Sequence, residues 1–230
     1  MALNILLTGA SRGIGAACAD SLKHDKTRIF AASSRDADLG AVGGADALWD
    51  KALDALGGRI DILINNAGVF EATPLDSTDE EWLAGWQRTM TVNLEASAVL
   101  CRKAVLHWQG RKSGGRIINI ASRAAYRGDS PAHWHYAASK AGMVAMTKTI
   151  ARAYAAQEIY AFAVCPGFTM TGMAEEYLAS RGGDTLLADI PLGKVADPEE
   201  IAAIVKFLVV DAPPSMTGAI LDANGASYVR

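Results

Sequence analysis

The chain has 230 residues, half of them hydrophobic, which suits one α/β domain with a full core. Its formal net charge of −3 gives no reason to expect nucleic acid or an anionic membrane surface as a partner. Three scattered cysteines without Cys-x-x-Cys spacing favour buried thiols in a reducing compartment. No cluster of His, Cys and carboxylate residues has the spacing of a metal site.

The first residues, Met1-Ala2-Leu3-Asn4, lead directly into an apolar run, so no signal peptide is expected. No apolar stretch approaches the roughly 20 residues that a membrane-spanning helix needs. We therefore expect a cytoplasmic protein that does not act at a membrane.

Short apolar runs alternate with longer amphipathic stretches along the whole chain. In chain order the predicted elements are a strand at 5–7, a helix at 14–22, a strand at 29–32, a helix at 45–56, a strand at 60–64, a long helix at 79–107, a strand at 116–120, a helix at 136–157, a strand at 160–165, a helix at 198–209 and a strand at 218–223. This alternation predicts a doubly wound, Rossmann-like parallel sheet in one domain over residues 1–230. Ligands of such sheets bind beyond the carboxyl ends of the strands.

A glycine-rich turn joins the first predicted strand to the first helix. It reads Thr8-Gly9-Ala10-Ser11-Arg12-Gly13-Ile14-Gly15. Gly9 permits a tight turn, Gly13 lets the backbone approach a pyrophosphate, and Gly15 lets helix and strand pack closely. The helix N-terminus supplies free N–H groups and the positive end of its dipole, so the turn favours a dinucleotide cofactor.

The order of motifs resembles the short-chain dehydrogenase/reductase family. The resemblance depends on the Thr-Gly-x-x-x-Gly-x-Gly spacing of the turn, on Asn65-Asn66-Ala67-Gly68 after a strand, and on Tyr136-x-x-x-Lys140 at the start of a helix. It extends over nearly the whole chain and implies a single dinucleotide-binding domain. It also implies hydride transfer between a nicotinamide cofactor and a carbonyl or alcohol.

Tyr136 and Lys140 are the candidate catalytic pair. Residues four apart share one face of a helix, and a nearby ammonium favours the ionised form of a phenol. The resemblance assigns Tyr136 the proton transfer, Ser122 a hydrogen bond to the substrate oxygen, and Lys140 the nicotinamide ribose. It gives Asn93 a backbone carbonyl left free by a distorted helical turn. Read alone, Ser122 could instead make a local turn bond at the end of its strand.

The same resemblance implies a set of cofactor contacts along the strand ends. These are Gly9, Ser11, Arg12, Gly13, Ile14, Gly15, Ser33, Ser34, Arg35, Asn65, Ala67, Gly68, Tyr136, Lys140, Pro166, Gly167, Thr169 and Thr171. Pro166, Gly167, Thr169 and Thr171 are expected at the nicotinamide carboxamide. Asn65, Ala67 and Gly68 are expected near the adenosine ribose and the pyrophosphate.

The end of the second strand favours NADP(H) over NAD(H). Ser33 or Ser34 stands where an acidic residue would bind a ribose 2′-hydroxyl, and Arg35 follows. Arg12 in the glycine turn is a second cation for a 2′-phosphate. Either arginine could instead be a solvated surface charge, and Asp36 and Asp38 lie close in sequence, so NAD(H) stays possible.

The connection from the second strand to the third is unusually short. Residues 36–58 have room for one helix, whereas family members usually fit a helix, a strand and another helix there. We therefore expect about six strands, an exposed edge at the second strand and the loss of the aspartate that typically contacts adenine.

Candidate substrate contacts include Arg123, Trp134, His135 and Phe168. The two aromatic residues suggest an apolar or ring-shaped small molecule but could equally be core, and His135 reads best as a helix-start residue. Apolar residues on the two long helices suit a homo-oligomer, a tetramer first and a dimer second, although they could also face only the sheet. These residues are Ala96, Val99, Leu100, Met143, Met146 and Ile150.

Two other functions are compatible with the pattern. One is a non-catalytic dinucleotide-binding sensor or scaffold, which predicts a broken Ser–Tyr–Lys set. The other is an isomerase, epimerase or dehydratase that uses the cofactor transiently, which usually carries a larger C-terminal substrate region. The intact set at Ser122, Tyr136 and Lys140 favours the oxidoreductase.

Overall fold

The computed structural model describes residues 2–170 and 187–230. Its strands are β1 (Leu3–Leu7), β2 (Thr27–Ala31), β3 (Ile62–Asn65), β4 (Gly115–Ile120), β5 (Ile159–Pro166) and β6 (Ile220–Ala223). Its α-helices are α1 (Gly13–Ser21), α2 (Gly44–Ala55), α3 (Asp79–Met90), α4 (Ala96–Arg111), α5 (Ala124–Arg127), α6 (Trp134–Tyr154) and α7 (Pro198–Val210). The predicted elements are confirmed to within a few residues, and the short helix α5 was not predicted.

The strands of the described chain form one parallel sheet in the order β2-β1-β3-β4-β5-β6. β2 lies on one side of β1, and β3 to β6 follow in order on its other side, so the direction of the strand order changes at β1. Such a switch opens a crevice at the carboxyl ends of the strands. The doubly wound, Rossmann-like fold with six strands is therefore confirmed.

Helices cover both faces of the sheet. On one face, α1 and α7 pack against residues such as Ile5, Leu7 and Phe162. On the other face, α2, α4 and α6 pack against the alternate residues of the same strands, such as Leu6 and Leu63. Because successive strand residues point to opposite faces, near-continuous apolar strands fill both layers. The three cysteines are free and buried in these layers, as expected.

The connection between β2 and β3 contains one helix, α2, and no strand across residues 32–61, all of which the structure describes. This confirms the predicted loss of a strand and a helix. It leaves β2 at the edge of the described sheet.

The long predicted helix is divided by a π-helical turn, Thr91–Glu95, between α3 and α4. It begins at a capping box in which the Thr78 hydroxyl accepts from the Glu81 N–H and the Glu81 carboxylate accepts from the Thr78 N–H. The box satisfies two of the otherwise unpaired N–H groups of the first turn. A π-turn displaces the residues around it from regular helical positions, and Asn93 lies in its middle.

Some of the residues expected to form an oligomer interface are buried within the single chain. Of the six apolar residues expected there, four are buried within the single chain, so they pack inside their own subunit. These are Ala96, Leu100, Met143 and Ile150. No helix of the described residues is long and apolar enough to cross a membrane.

Trp108 of α4 closes the core at the start of β4. Its ring is fully buried and its Nε1–H donates to the Ile60 carbonyl oxygen at 2.8 Å. The ring lies against Gly115, where an added Cβ would come within 2.1 Å of it. Only a residue without a side chain fits this position without displacing the tryptophan.

We expect Gly115→Ala to destabilise the protein by about 1–3 kcal/mol, because the core must shift around Trp108. Gly110→Ala is the matched control, since Gly110 lies in α4 with open space around it. It should stabilise the helix by roughly 0.5–1 kcal/mol. Urea unfolding measures both, and equal effects of the two variants would contradict the packing account.

Candidate active site

A cleft of about 690 Å³ opens at the carboxyl ends of β1 to β5. Most of the predicted site residues border it. From the predicted set these are Gly9, Ser11, Arg12, Gly13, Ile14, Gly15, Ser33, Ser34, Ala67, Gly68, Ser122, Tyr136, Lys140, Pro166, Gly167 and Thr169. Thr171 lies outside the described residues.

The glycine turn has the shape that its sequence predicts. Gly9 and Gly13 have φ values of 67° and 54°, which side chains rarely adopt. A Cβ on Gly15 would lie 2.1 Å from the Gly9 carbonyl oxygen. No side chain caps α1, and its first turn holds no acidic residue. The N–H groups at the start of α1 therefore remain available for phosphates.

Thr8 and Asn66 lock the glycine turn to the end of β3. The Thr8 hydroxyl accepts from the N–H groups of Asn66 and Ala67 at 3.0 and 2.9 Å. The Asn66 amide donates to the carbonyl oxygens of Thr8 and Gly9, each at 3.0 Å. Sequence analysis missed Asn66 as a residue that borders the cleft.

The expected cofactor contact from Asn65 is wrong. Its side chain is buried and donates to the Asn119 amide oxygen at 2.9 Å and towards the Cys101 sulfur at 3.3 Å. Asn65 ends β3, and side chains alternate along a strand, so Asn65 faces the core while the next residue turns to the cleft.

Ser33 and Ser34 border the end of the cleft at which the adenosine is expected, whereas Arg35 does not border the cleft. Arg35 is exposed in a turn in which its N–H donates to the Ser33 hydroxyl. The Asp36 carboxylate accepts from the Ser33 N–H at 2.9 Å and pairs with Lys51 at 2.8 Å. The hydrogen bond from Lys51 lowers the pKa of Asp36, and the pair neutralises its charge locally.

Asp38 was not among the expected contacts, yet it borders the cleft together with Leu39 and Gly40. The shortened connection thus supplies an acidic residue at the adenosine end. The sequence indicates the loss of the family's aspartate there, and it places Asp36 and Asp38 close enough to complicate the choice of cofactor. Asp38 Oδ1 already accepts from the Gly40 N–H at 2.8 Å, which fixes the carboxylate at the edge of the cleft.

Tyr136, Ser122 and Lys140 meet at the centre of the cleft. The Ser122 side chain interacts with the Tyr136 phenol and lowers its pKa, and the Ser122 hydroxyl accepts from the Ala124 N–H at 3.1 Å. Lys140 is 4% exposed, and its Nζ donates to the carbonyl oxygen of Ile120, the last residue of β4, at 2.9 Å. The same Nζ lies 5.7 Å from the centre of the Tyr136 ring. One turn of α6 thus brings both groups to the end of β4.

Burial sets the protonation of this pair. It raises the pKa of Tyr136 to about 12, partly offset by the Ser122 hydrogen bond, and it lowers the pKa of Lys140 to about 8. The expected lowering of the Tyr136 pKa by Lys140 is therefore not seen, because burial of the phenol determines its pKa. Tyr136 stands as a neutral phenol, the form that donates a proton.

Asn93 supports the cleft from behind. Its side-chain oxygen accepts from the Val69 N–H at 2.8 Å and its amide donates to the Val69 carbonyl at 3.0 Å. The amide also lies 3.3 Å from the Ser139 hydroxyl, which donates to the Tyr136 carbonyl. The π-turn is the distorted helical turn expected at Asn93, and the Asn93 carbonyl oxygen accepts from the Ser97 hydroxyl at 3.2 Å, which leaves it one further lone pair.

The segment that follows β5 is where the nicotinamide carboxamide is expected to bind. The Gly167 N–H donates to the Ala223 carbonyl at 2.9 Å, and a Cβ on Gly167 would meet Asn224 at 2.8 Å. Thr169 is buried, pairs as an isolated bridge with Ala196, and borders the cleft.

His135 has a local role at the start of α6. Its Nδ1 accepts from the Tyr136 N–H at 2.8 Å, so the ring proton is on Nε2. The Nε2–H then donates to the Thr73 hydroxyl at 2.8 Å. Burial lowers the pKa of His135, which keeps it neutral. This confirms the interpretation as a helix-start residue. Trp134 is exposed and does not border the cleft, whereas Phe168 does.

The comparisons with known proteins agree with this geometry. The family profile described as enoyl-(acyl carrier protein) reductase matches residues 36–225. A 3-oxoacyl-[acyl-carrier-protein] reductase from Synechocystis is 36% identical over 96% of the chain and 94% of its own length. A 3β-hydroxysteroid dehydrogenase from Eggerthella lenta is 33% identical over 96% and 92%.

Two solved structures have the same fold. One is described as an NAD(P)-dependent gluconate 5-dehydrogenase from Beutenbergia cavernae with bound NADP. It superposes with a TM-score of 0.87 at 27% identity, over 98% of this chain and 96% of that one. The other is described as a 2-deoxy-D-gluconate 3-dehydrogenase from Agrobacterium tumefaciens with bound NADP, with a TM-score of 0.82 at 26% identity, over 99% and 97%.

The chain belongs to the short-chain dehydrogenase/reductase family. It is an oxidoreductase that acts on carbonyl or alcohol groups with a nicotinamide cofactor. The described residues hold no group of three or more His, Cys, Asp or Glu side chains that could bind a metal ion.

The lowered pKa of Lys140 predicts how stability depends on pH. The folded protein releases this proton near pH 8 and the unfolded chain near 10.5, so burial of the charge costs stability below pH 8 and the cost fades as pH rises. Between pH 7 and pH 10, the free energy of unfolding should rise by about 2 kcal/mol relative to Lys140→Met. Urea unfolding of both proteins at each pH measures the difference, and parallel pH profiles would contradict the assignment.

Proposed function

We propose that the protein transfers a hydride between NADP(H) and a small carbonyl or secondary alcohol, with Tyr136 as the general acid and base. The observation that carries this proposal is the meeting of Tyr136, Ser122 and Lys140 in the cleft that also contains the uncapped start of α1. The cofactor fits because Gly9, Gly13 and Gly15 keep side chains out of that turn.

The bound cofactor supplies the hydride, and the chain supplies the rest of the chemistry. The Ser122 hydroxyl donates a hydrogen bond to the substrate oxygen and so polarises the carbonyl. The neutral Tyr136 phenol gives its proton to the developing alkoxide, which a pKa of about 12 permits. In the reverse direction Tyr136 takes up the hydroxyl proton, and the Lys140 ammonium stabilises the phenolate.

Lys140 is placed to act on both Tyr136 and the cofactor. Its Nζ is anchored by Ile120 O and lies 3.5 Å from where a Cβ on Gly68 would stand, at the wall of the cleft. We assign it a contact with the nicotinamide ribose as well as the electrostatic support of the phenolate. With a pKa near 8, Lys140 is charged at neutral pH.

Recognition of NADP(H) is assigned to Arg12, Ser33 and Ser34, which border the adenosine end of the cleft. Bound NADP in the two similar solved structures supports this choice. Asp38 at the same end is an acceptor for an adenosine hydroxyl or amino group, and NAD(H) therefore stays the alternative. Arg35 is not included, because it does not border the cleft.

Similar proteins act on acyl chains, steroids and sugar acids, so the family alone does not choose the substrate. We propose a small-molecule substrate, a cytoplasmic location and a homo-oligomer, tetramer or dimer, on the strength of the family resemblance.

Tyr136→Phe should lower kcat by about 10²–10⁴-fold, because it removes the proton donor. NADPH affinity should change little. Nicotinamide absorbance with a panel of ketones, aldehydes and alcohols measures turnover. Tyr154→Phe, at the other end of α6, is the matched control and should turn over normally. Retention of full activity by Tyr136→Phe would refute the mechanism.

Arg12→Gln should weaken NADPH binding relative to NADH by about tenfold or more, since it removes one charge-assisted contact. Arg35→Gln, the neighbouring cation outside the cleft, should change that ratio far less. Fluorescence titration of the unaltered protein and of both variants with each cofactor gives the six dissociation constants. A larger effect of Arg35→Gln, or tighter NADH binding by the unaltered protein, would overturn this assignment.

A further inference from the structure

Four charged side chains surround the substrate end of the cleft, and the proposed reaction uses none of them. Arg123, Arg127, Asp129 and Asp189 all border the cleft next to Ser122. We call them the mouth cluster. Arg123 follows Ser122 directly, so its backbone is fixed by the same strand end, and its N–H donates to the Pro166 carbonyl at 2.9 Å.

Arg123 carries a buried charge with weak compensation. Its side chain is 10% exposed, and its guanidinium lies 4.6 Å from the centre of the Phe168 ring. The ion pair that the described residues offer it is a 3.4 Å contact from Nη1 to Asp189. A guanidinium has five N–H donors, and a buried cation is costly unless it is paired and hydrogen-bonded.

Asp189 is bound more closely to the other arginine. Its Oδ2 lies 2.7 Å from Arg127 Nη1, a contact that is 0.7 Å shorter than the one to Arg123. Asp129 acts on Arg123 only at longer range, and its Oδ1 accepts from the Ser130 N–H at 2.7 Å. Among residues 2–170 and 187–230, most donors of Arg123 thus have no close acidic partner.

We propose that Arg123 binds a carboxylate of the substrate, so that the enzyme prefers oxo acids or hydroxy acids over their neutral analogues. The inference deepens the proposed function and depends on the same cleft. A carboxylate matches the planar fork of a guanidinium and forms two parallel hydrogen bonds. The chemistry at Ser122 and Tyr136 would then take place on a carbon held at a fixed distance from that anchor.

Asp189 competes with the substrate in this arrangement. Its carboxylate forms ion pairs with both arginines. An entering carboxylate replaces its longer contact with Arg123, while its shorter contact with Arg127 remains. Asp189→Asn should therefore strengthen binding of an acid, whereas Arg123→Gln should weaken it. A purely structural role for the pair predicts instead that both substitutions weaken binding in the same way.

The test uses the protein loaded with NADP⁺, which carries no hydride and so forms unreactive complexes with oxo compounds. Ligand-observed NMR titrations give dissociation constants for 2-oxobutanoate, 3-oxobutanoate and 4-oxopentanoate and for their methyl esters. The readout is the ester-to-acid ratio of dissociation constants. We expect a ratio of about ten or more for at least one chain length, the size of one charge-assisted contact.

Arg123→Gln should bring this ratio close to one, and Asp189→Asn should raise it severalfold. Arg152→Gln, an exposed arginine further along α6, is the matched control and should leave the ratio as it is. A ratio near one for every pair, undetectable binding of all the acids, or equal changes in both variants would overturn the inference.

Turnover with NADPH separates this inference from the proposed function. Tight acid binding without reduction of any compound would contradict the proposed reaction and keep the carboxylate site. Equal reduction of acids and esters would keep the reaction and contradict the site.

Discussion

The buried ammonium of Lys140 is the constraint around which the cleft is arranged. Lysine can be buried in its charged form only if nearby groups accept its protons, and here Ile120 O at the end of β4 does so at 2.9 Å. The residues that surround the Lys140 side chain also shape the cleft around Tyr136. Gly68 leaves room for its Nζ, and Asn93 fixes the backbone that follows Gly68. The position of Tyr136 follows, because it lies one turn earlier on the same helix.

The sheet explains why chemistry from distant parts of the chain converges there. Six parallel strands end at one edge, and each described strand end from β1 to β5 contributes residues to the same cleft. The two ends of the cleft differ in character. The adenosine end is built from backbone and small side chains, which suits phosphates, whereas the substrate end holds the charged mouth cluster.

Local motifs predicted much of this, and long-range pairings could not be predicted. The glycine turn and the Tyr136–Lys140 spacing are local, and the structure forms both as expected. Asn65 was misplaced because one step along a strand reverses the side of the sheet that a residue faces. The contact of Arg123 with Asp189 joins residues 66 positions apart, and nothing in the sequence near either one indicates it. The sequence places Asp38 close to the cofactor site, but only the course of the shortened connection shows that it borders the cleft.

The protonation of the central pair also lay beyond the sequence. The motif predicts that Lys140 lowers the pKa of Tyr136. Burial instead raises the pKa of Tyr136 and lowers the pKa of Lys140. Both shifts follow from removing charges from water, and positive charge from the nicotinamide can act on Tyr136 only when the cofactor is present. Tyr136 is thus in the neutral form, which can donate a proton.

The most direct test of this account is a ¹³C NMR titration of the lysine ε-carbons in the ligand-free protein, with Lys140→Met used to assign the resonance. The account predicts that the Lys140 resonance titrates with a midpoint near pH 8. A midpoint near the ordinary value of about 10.4 would contradict it, because the ammonium would then not be held in the buried position from which the rest of the site is built.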